Sequence, residues 1–301
     1  MPFSLSTSWN YRLHVSASTM LEEIRSAGFD AVELNFALTR AMVDEIAEIK
    51  KDAEIAVSSL HNMCPLPDEI KQSEASPDYY SLASGDANER AMALKAAQDS
   101  VDYASKLGAA AVVLHGGRVP IKDRTRELAS VIDDAGKAAL IRGDMARERA
   151  EKSGGCVDNL LSSLKILVPY ASKKMIRLGL ENRYYYREIP LSDELEYIFK
   201  KFKTDTLCYW HDAGHAEVFD RLGLAVHEEM LRKFSNRLLG VHLHDIIGPI
   251  NDHKAPGCGT FDFRMLKPYI KKDTIKVIEA HQPATAEELR RSVAYLDKIF
   301  N

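Results

Sequence analysis

Short apolar runs alternate with amphipathic stretches along the whole chain. The runs are rich in Val, Ile, Leu and aromatic residues, which is typical of buried strands. They predict strands at 3–9, 31–35, 55–61, 110–117, 177–183, 207–212, 239–245 and 276–281. Apolar residues recur at helical spacing between them and predict helices that include 19–28, 39–53, 87–108 and 285–300. The pattern therefore predicts an α/β fold.

The number of predicted strands favours one architecture. Eight strands, each followed by a helix, are the count of a (β/α)8 TIM barrel. The alternative, an open doubly wound sheet, usually carries a Gly-rich phosphate turn after its first strand. Here WNYRLHVSAS follows that strand, and the chain contains neither GxGxxG nor GxxxxGK[ST]. We predict one barrel domain over 1–301, with long βα connections at about 62–86 and 118–160. The second connection is expected to form a solvated helix pair, or else a lid or a dimer contact.

Histidines and carboxylates concentrate where the predicted strands end. Seven of the ten histidines lie at or just after these ends: His61, His115, His215, His242, His244, His253 and His281. The carboxylates there include Glu33, Glu181, Asp212 and Glu279. Barrel active sites lie at the carboxyl ends of the strands, so these side chains are expected to meet at one mouth. Carboxylates packed together repel each other unless a cation or protonation relieves them, which predicts a divalent metal.

The stretch WHDAGHAEV (210–218) holds part of this set. Asp212 ends a predicted strand, and Gly214 is expected to permit a sharp turn that brings His215 back to the same centre. Alternation along the next strand predicts that His244 points away from the side of His242 and packs between barrel and helices. Arg183 has two interpretations, a contact with a substrate phosphate or carboxylate and a salt bridge across the barrel rim.

Composition narrows the function and the compartment. Forty basic residues face forty-four acidic ones, a formal charge of −4, which argues against a nucleic-acid partner. The chain has no apolar run long enough for a membrane span, and its first residues lack a signal-peptide layout. Its four cysteines show no CxxC spacing, as expected of free thiols in a reducing compartment. We therefore expect a cytoplasmic protein without a membrane partner.

An ordered set of motifs resembles the xylose isomerase-like superfamily of metal-dependent barrels over nearly the whole chain. The motifs are GFDAVELN, VSSLH, VVLHGG, LGLENR, HDAGHA, VHLHD followed by DHKAPGCGTFDF, and IEAH. This superfamily contains sugar isomerases, ketose 3-epimerases, inosose dehydratases and endonuclease IV. The resemblance implies an isomerase or epimerase of a sugar, sugar phosphate or polyol in carbohydrate metabolism. Related barrels often pair, which implies a homodimer or a homotetramer.

The resemblance also implies roles for individual residues. One divalent ion (Mn, Mg, Co or Zn) would be held by Glu181, Asp212, His242 and Glu279. Glu181 and Glu279 would be catalytic and move the proton at opposite faces of a ketose whose carbonyl the metal polarises. His215 would contact a substrate oxygen, while His61 and Glu33 would line the pocket.

Two other members of the superfamily supply alternatives. An endonuclease IV-like phosphodiesterase would bind up to three zinc ions through His61, His115, Glu181, Asp212, His215, His242, Asn251, His253 and Glu279. Asn251 departs from that pattern, which asks for Asp, and the one-residue offset is expected to point Asp252 elsewhere. Gly257-Cys258-Gly259 also replaces the usual GEG. An inosose dehydratase-like lyase is the other alternative, and a metal-binding barrel without catalysis is a third class.

Overall fold

The computed structural model describes residues 3–50, 52 and 54–300. Its strands, in chain order, are β1 (Phe3–Ser6), β2 (Ala31–Leu34), β3 (Ala56–His61), β4 (Ala111–Leu114), β5 (Gly117–Arg118), β6 (Arg177–Glu181), β7 (Glu188–Ile189), β8 (Leu207–Asp212), β9 (Leu238–Leu243), β10 (Asp245–Ile247), β11 (Asn251–Lys254) and β12 (Ile275–Ile278). Eight of them close a barrel in the order β1, β2, β3, β4, β6, β8, β9, β12, and every neighbouring pair is parallel. The predicted (β/α)8 barrel is confirmed.

Helices surround this barrel. They are α1 (Ala17–Ser26), α2 (Arg40–Ile49), α3 (Ala87–Leu107), α4 (Thr125–Ser130), α5 (Ala135–Lys173), α6 (Ser192–Lys201), α7 (Ala213–Arg221), α8 (His227–Phe234) and α9 (Ala286–Phe300). Side-chain caps begin several of them; the Asp86 carboxylate, for example, accepts from the Asn88 N–H at the start of α3. That helix ends at Gly108, whose φ of 71° suits glycine. Lys51 and Ala53, in the predicted helix 39–53, lie outside the described residues.

The structure differs from the sequence expectation at the first strand and after β9. The first strand ends at Ser6, and the rest of the predicted strand is a 3-10 turn over Thr7–Trp9. Residues 118–160 contain α4 and the first part of α5, a helix of 39 residues. The barrel strand β9 is followed by the antiparallel hairpin of β10 and β11 and then by a 3-10 turn at Phe263–Leu266, rather than by a helix of its own.

Trp210 fills the barrel interior. Its side chain is fully buried and packs in a cluster with residues of other barrel strands, among them Val113 and Val277. Gly179 and Gly240 make room for it, because a Cβ at either position would meet the indole ring. One large ring therefore fills this part of the barrel interior, and the two glycines leave space for it.

The described ranges, 3–50, 52 and 54–300, contain no helix that is both long enough and apolar enough to cross a membrane.

We expect Gly240→Ala to destabilise the protein. The added methyl would overlap the Trp210 ring, and overpacking a core costs about 1–3 kcal/mol in the free energy of unfolding. Urea denaturation measures the loss. Gly155→Ala in α5 is the matched control, because a Cβ there meets nothing within 4 Å and alanine favours a helix. Equal stability of the two variants would contradict a tightly packed barrel interior.

Candidate metal centre

Four side chains from four strand ends converge at the carboxyl end of the barrel. Glu181 ends β6, Asp212 ends β8, His242 lies near the end of β9 and Glu279 follows β12. One nitrogen or oxygen atom of each lies within 4.8 Å of the others, and all four residues are buried. The structure thus brings together the four residues that the resemblance implied as metal ligands.

His242 lies at the centre of this group. Its Nδ1 is 2.7 Å from Glu181 Oε1, 3.0 Å from Glu279 Oε2 and 3.5 Å from Asp212 Oδ2. Burial opposes a charged imidazolium, but the nearby glutamates outweigh it and hold the pKa of His242 well above its ordinary value. One proton on Nδ1 cannot neutralise three carboxylates, so the group favours the binding of a cation of higher charge. Carboxylate oxygens with an imidazole nitrogen are a common donor set for a divalent metal, and the residues fit one.

Glu33 holds the Nε2 proton of His242. Glu33 Oε1 lies 2.9 Å from His242 Nε2, and its other oxygen accepts from the Ser59 hydroxyl at 2.7 Å. With Nε2 protonated in this way, Nδ1 could give up its own proton and offer its lone pair to a metal among the other three carboxylates. Carboxylates commonly support metal-binding histidines in this way. Glu33 is fully buried behind His242 and not on the pocket wall, where the resemblance implied it would be.

Asp212 is held by its own helix and by His244. Its carboxylate caps α7 by accepting from the His215 N–H at 2.7 Å, and Oδ1 lies 2.9 Å from His244 Nε2. Burial raises the pKa of Asp212, but His215 and His244 outweigh it and lower that pKa well below the ordinary value. The expected turn at Gly214 is wrong, because this residue lies in the first turn of α7. Position 214 requires a glycine for another reason, since a Cβ there would overlap the His244 ring.

The expectation for His244 is also wrong. The regular strand ends at Leu243, so alternation does not extend to His244, whose ring turns towards Asp212. Its Nδ1 accepts from the backbone N–H of His253 at 2.9 Å, which places the ring proton on Nε2. Both nitrogens are therefore engaged, and His244 orients Asp212 without a lone pair to offer a metal.

A second group lies beside the first, on the hairpin and α7. His215 Nδ1 is 3.2 Å from the Asn182 carbonyl, which leaves Nε2 towards the pocket, 4.0 Å from Asp252 Oδ2. His253, with a φ of 54°, places Nδ1 3.1 Å from the same oxygen. Burial raises the pKa of Asp252, but the neighbouring His253 outweighs it and lowers that pKa to about 2. Asp252 thus faces the site and Asn251 is exposed, contrary to the expected effect of the one-residue offset.

A third group surrounds the other oxygen of Glu181. His115 Nε2 lies 2.8 Å from Oε2, Arg183 Nη1 donates to it at 2.9 Å, and His61 Nε2 is 3.9 Å away. His115 and Arg183 also contact each other directly. These positions bring His61 and His115 into the site, as the sequence predicted.

Arg183 forms a buried ion-pair network. Its Nη2 donates to Asp78 Oδ2 at 3.0 Å and to Glu188 Oε1 at 3.2 Å. Of its two interpretations, the geometry favours the salt bridge. Sequence reasoning missed Asp78 and Glu188, because they lie in the 62–86 connection and in the short strand β7, away from the barrel strand ends.

A cavity of about 460 Å³ opens above these groups. Glu181, Glu279, His61, His215 and Asp252 contribute its polar lining. Its walls include Phe36, Tyr184, Tyr185, Ile250 and Arg126. A larger cavity of about 650 Å³ lies elsewhere, between the 256–264 segment and α9, and includes Cys258 in its lining. Cys258, in the altered GEG position, is therefore not part of the site pocket.

The fold and the site define a (β/α)8 barrel whose mouth has the donor set of a divalent-metal centre. Residues 21–299 match the family model described as xylose isomerase-like TIM barrel, and the chain belongs to this family. A curated relative, the uncharacterized protein y4fM of Sinorhizobium fredii (strain NBRC 101917 / NGR234), is 24% identical over 256 residues, which cover 81% of this chain and 73% of that protein.

Solved structures share the fold at low identity. A D-tagatose 3-epimerase-like protein has a TM-score of 0.71 at 20% identity and covers 99% of this chain and 97% of its own. The 3-keto-D-glucoside 4-epimerase YcjR of E. coli has a TM-score of 0.69 at 15% identity, with 99% of both chains covered. D-psicose 3-epimerase of Clostridium cellulolyticum H10 has a TM-score of 0.68 at 13% identity, with both chains fully (100%) covered.

We expect Asp78→Asn to destabilise the protein at neutral pH. Burial raises the pKa of Asp78, but His115 and Arg183 outweigh it and hold that pKa well below its usual range. The ion pair therefore stabilises the fold above the unfolded pKa of about 4, and this contribution is lost as pH falls through the folded value. Breaking a buried pair costs about 3 kcal/mol in the free energy of unfolding.

Urea denaturation at pH 7 and near pH 3 measures this effect, and the difference between wild type and variant should shrink in acid. Asp68→Asn is the control, because its ion pair with Arg40 is largely exposed. A deficit for Asp78→Asn that stays constant with pH would contradict the ionised pair.

Proposed function

We propose that the protein is a divalent-metal-dependent isomerase or epimerase of a sugar, a sugar phosphate or a polyol. The observation that carries this proposal is the position of His242 Nδ1 between Glu181, Asp212 and Glu279 at the barrel mouth. The likeness to three sugar epimerases or epimerase-like proteins supports it. Epimerisation next to a carbonyl needs a polarised oxygen and groups that exchange a proton with carbon, and this mouth holds candidates for both.

The same four residues, Glu181, Asp212, His242 and Glu279, would hold one Mn, Mg, Co or Zn ion. Bound there, the ion would polarise the substrate carbonyl and stabilise the negative charge that develops on its oxygen.

The two glutamates are the proposed proton carriers, and their surroundings differ. Glu181 Oε2 is held by Arg183 and lies near His115, so this oxygen must be released before it takes a proton. Glu279 makes both of its close imidazole contacts, with His242 and His253, through Oε2. We therefore assign removal of the substrate proton to Glu279, which would keep it, and delivery of a different proton on the opposite face to Glu181, which would have to be protonated beforehand.

Two histidines would position the substrate hydroxyls. His61 Nδ1 donates to the Asn62 carbonyl at 2.8 Å, and His215 Nδ1 is directed at the Asn182 carbonyl. Each ring therefore presents Nε2 as an acceptor at the pocket, which suits the hydroxyl donors of a sugar. Phe36 and Tyr184 add apolar surface for a sugar ring.

The group of His215, Asp252 and His253 supports a second candidate, a zinc phosphodiesterase with up to three ions. Together with His61, His115 and Glu181, it could hold metals beyond the first. A formal charge of −4 opposes binding to a phosphate backbone, so we rank this activity second.

Metal content separates the two candidates. We expect about one divalent ion per chain in protein purified without chelator, because among the residues that the structure describes one group alone combines three carboxylates with an imidazole. Elemental analysis measures it, and EDTA followed by Mn²⁺ should remove and restore activity on a panel of ketoses, polyols and their phosphates. Close to three zinc ions per chain would instead favour the phosphodiesterase, with an abasic-site duplex as the substrate to test.

We expect Glu181→Gln and Glu279→Gln each to lower turnover by about 100-fold or more, because an amide cannot exchange the proton. Steady-state kinetics on the best substrate of the panel measures this. Glu287→Gln, on the exposed face of α9, is the matched control and should leave turnover unchanged. Near-normal turnover in either site variant would remove that glutamate from the mechanism.

A further inference from the structure

A line of buried polar groups leads from Asp212 away from the pocket, through the barrel wall. Its members are Asn182, Tyr209, His211, His227 and Glu217, and the first four are almost completely buried. None of these five residues lines the pocket above the metal centre. The mechanism proposed above does not use them, yet each lies within hydrogen-bond distance of the next.

The direction of the inner hydrogen bonds follows from Asn182. Its Nδ2 donates to the Asp212 carbonyl at 2.9 Å, and its Oδ1 accepts from the Asp212 N–H at 2.9 Å, which fixes the orientation of the amide. The Tyr209 hydroxyl, 2.9 Å from the same Oδ1, must therefore donate to it. The Tyr209 oxygen is then free to accept from His211 Nδ1 at 2.7 Å. His211 thus carries a proton on Nδ1.

The outer hydrogen bonds show that His227, like His211, carries a proton on Nδ1. Its Nδ1 lies 3.1 Å from Glu217 Oε2, while Glu217 Oε1 accepts from Arg221 Nε at 2.8 Å. Burial raises the pKa of Glu217, but His227 and Arg221 outweigh it and lower that pKa. An ionised carboxylate only accepts, so His227 also carries a proton on Nδ1.

The two rings meet through their remaining nitrogens. His211 Nε2 lies 2.9 Å from His227 Nε2, and a hydrogen bond between two nitrogens needs one proton. Three protons on four ring nitrogens make one positive charge. We propose that His211 and His227 form a singly charged histidine pair that holds Asp212 in place from behind, with Tyr209 and His227 as positioning residues. The charge lies on the His227 side, next to Glu217 and stacked on Phe261 at 5.1 Å.

The line also ties the metal centre to the hairpin above it. Arg221 Nη1 donates to the Gly248 carbonyl at 2.7 Å, and Gly248 lies in the turn that leads to Asp252 and His253. The backbone of Asp212 and the hairpin are therefore linked by one continuous chain of hydrogen bonds. Losing a member leaves a buried polar group unpaired, which is costly and favours a single arrangement. Only the role of Asp212 as a ligand rests on the proposed function.

Nitrogen-15 NMR of the wild-type protein, labelled at histidine and freed of metal, tests the proton positions near pH 7. We expect proton-bearing Nδ1 signals for both His211 and His227 and one proton shared by their Nε2 atoms. Glu217→Gln, at the partly buried outer end, should remove the positive charge from the pair. An unprotonated Nδ1 on either wild-type ring would overturn the proposal.

Tyr209→Phe tests the positioning role, because it removes only the hydroxyl between Asn182 and His211. We expect Mn²⁺ affinity, measured by titration calorimetry, to fall about tenfold, as for other residues that support a metal ligand. The His211 proton should also move to Nε2 in the NMR spectrum. Tyr170→Phe, which removes a hydroxyl bonded to Asp102 on the outer helices, is the matched control and should change neither measurement.

Unchanged Mn²⁺ affinity in Tyr209→Phe would overturn the positioning role. If Tyr209→Phe does not fold, Glu217→Gln provides the same affinity measurement from the other end of the chain. Wild-type protein that binds no Mn²⁺ would refute the proposed function and the link to a metal, whereas the NMR spectrum would still decide whether the charged pair exists.

Discussion

The burial of several carboxylates around one imidazole is the constraint on which this site depends. Glu33, Glu181, Asp212 and Glu279 lie in the same barrel mouth, largely out of contact with water. Desolvation and mutual repulsion would favour protonating them, unless positive charge is placed among them. While its Nδ1 carries a proton, His242 provides part of that charge through its contacts with all four. A divalent ion bound at Nδ1 would displace that proton and provide the positive charge itself, which makes the cluster a candidate metal centre.

Each central residue also has a partner behind it. Glu33 holds the Nε2 of His242, His244 holds the carboxylate of Asp212, and Arg183 holds the outer oxygen of Glu181. These partners limit the orientations that the central side chains adopt, so the centre is organised before any substrate arrives. The arrangement also explains why a small residue stands at position 214, where a larger one would displace His244.

Strand positions predicted the barrel and placed the four central residues among those at the strand ends, while the family resemblance singled out these four as ligands. In a parallel barrel, the carboxyl ends of all strands lie at the same face, whatever the conformation of the loops. Glu181 and Glu279 could therefore be placed together without knowledge of the chain between them. Asp78 and Glu188 could not, because their positions depend on irregular segments that have no periodicity. The predicted orientation of His244 was wrong for a related reason, since side chains alternate only while the strand continues. The direction of the Asp252 side chain likewise depends on the twist of a hairpin, which the sequence pattern does not predict.

Strand β8 shows how one short segment serves both the fold and the site. Side chains alternate between the two faces of a strand, so Trp210 and Asp212 point into the barrel while Tyr209 and His211 point towards the helices. Trp210 lies under the candidate metal centre, with its ring 5.2 Å from that of His242. Tyr209 and His211 support the backbone of Asp212 from the other face. The inward residues thus form the floor and a proposed ligand, and the outward residues hold the backbone of that ligand in place. A shift of one residue in this strand would exchange the two faces and lose both functions at once.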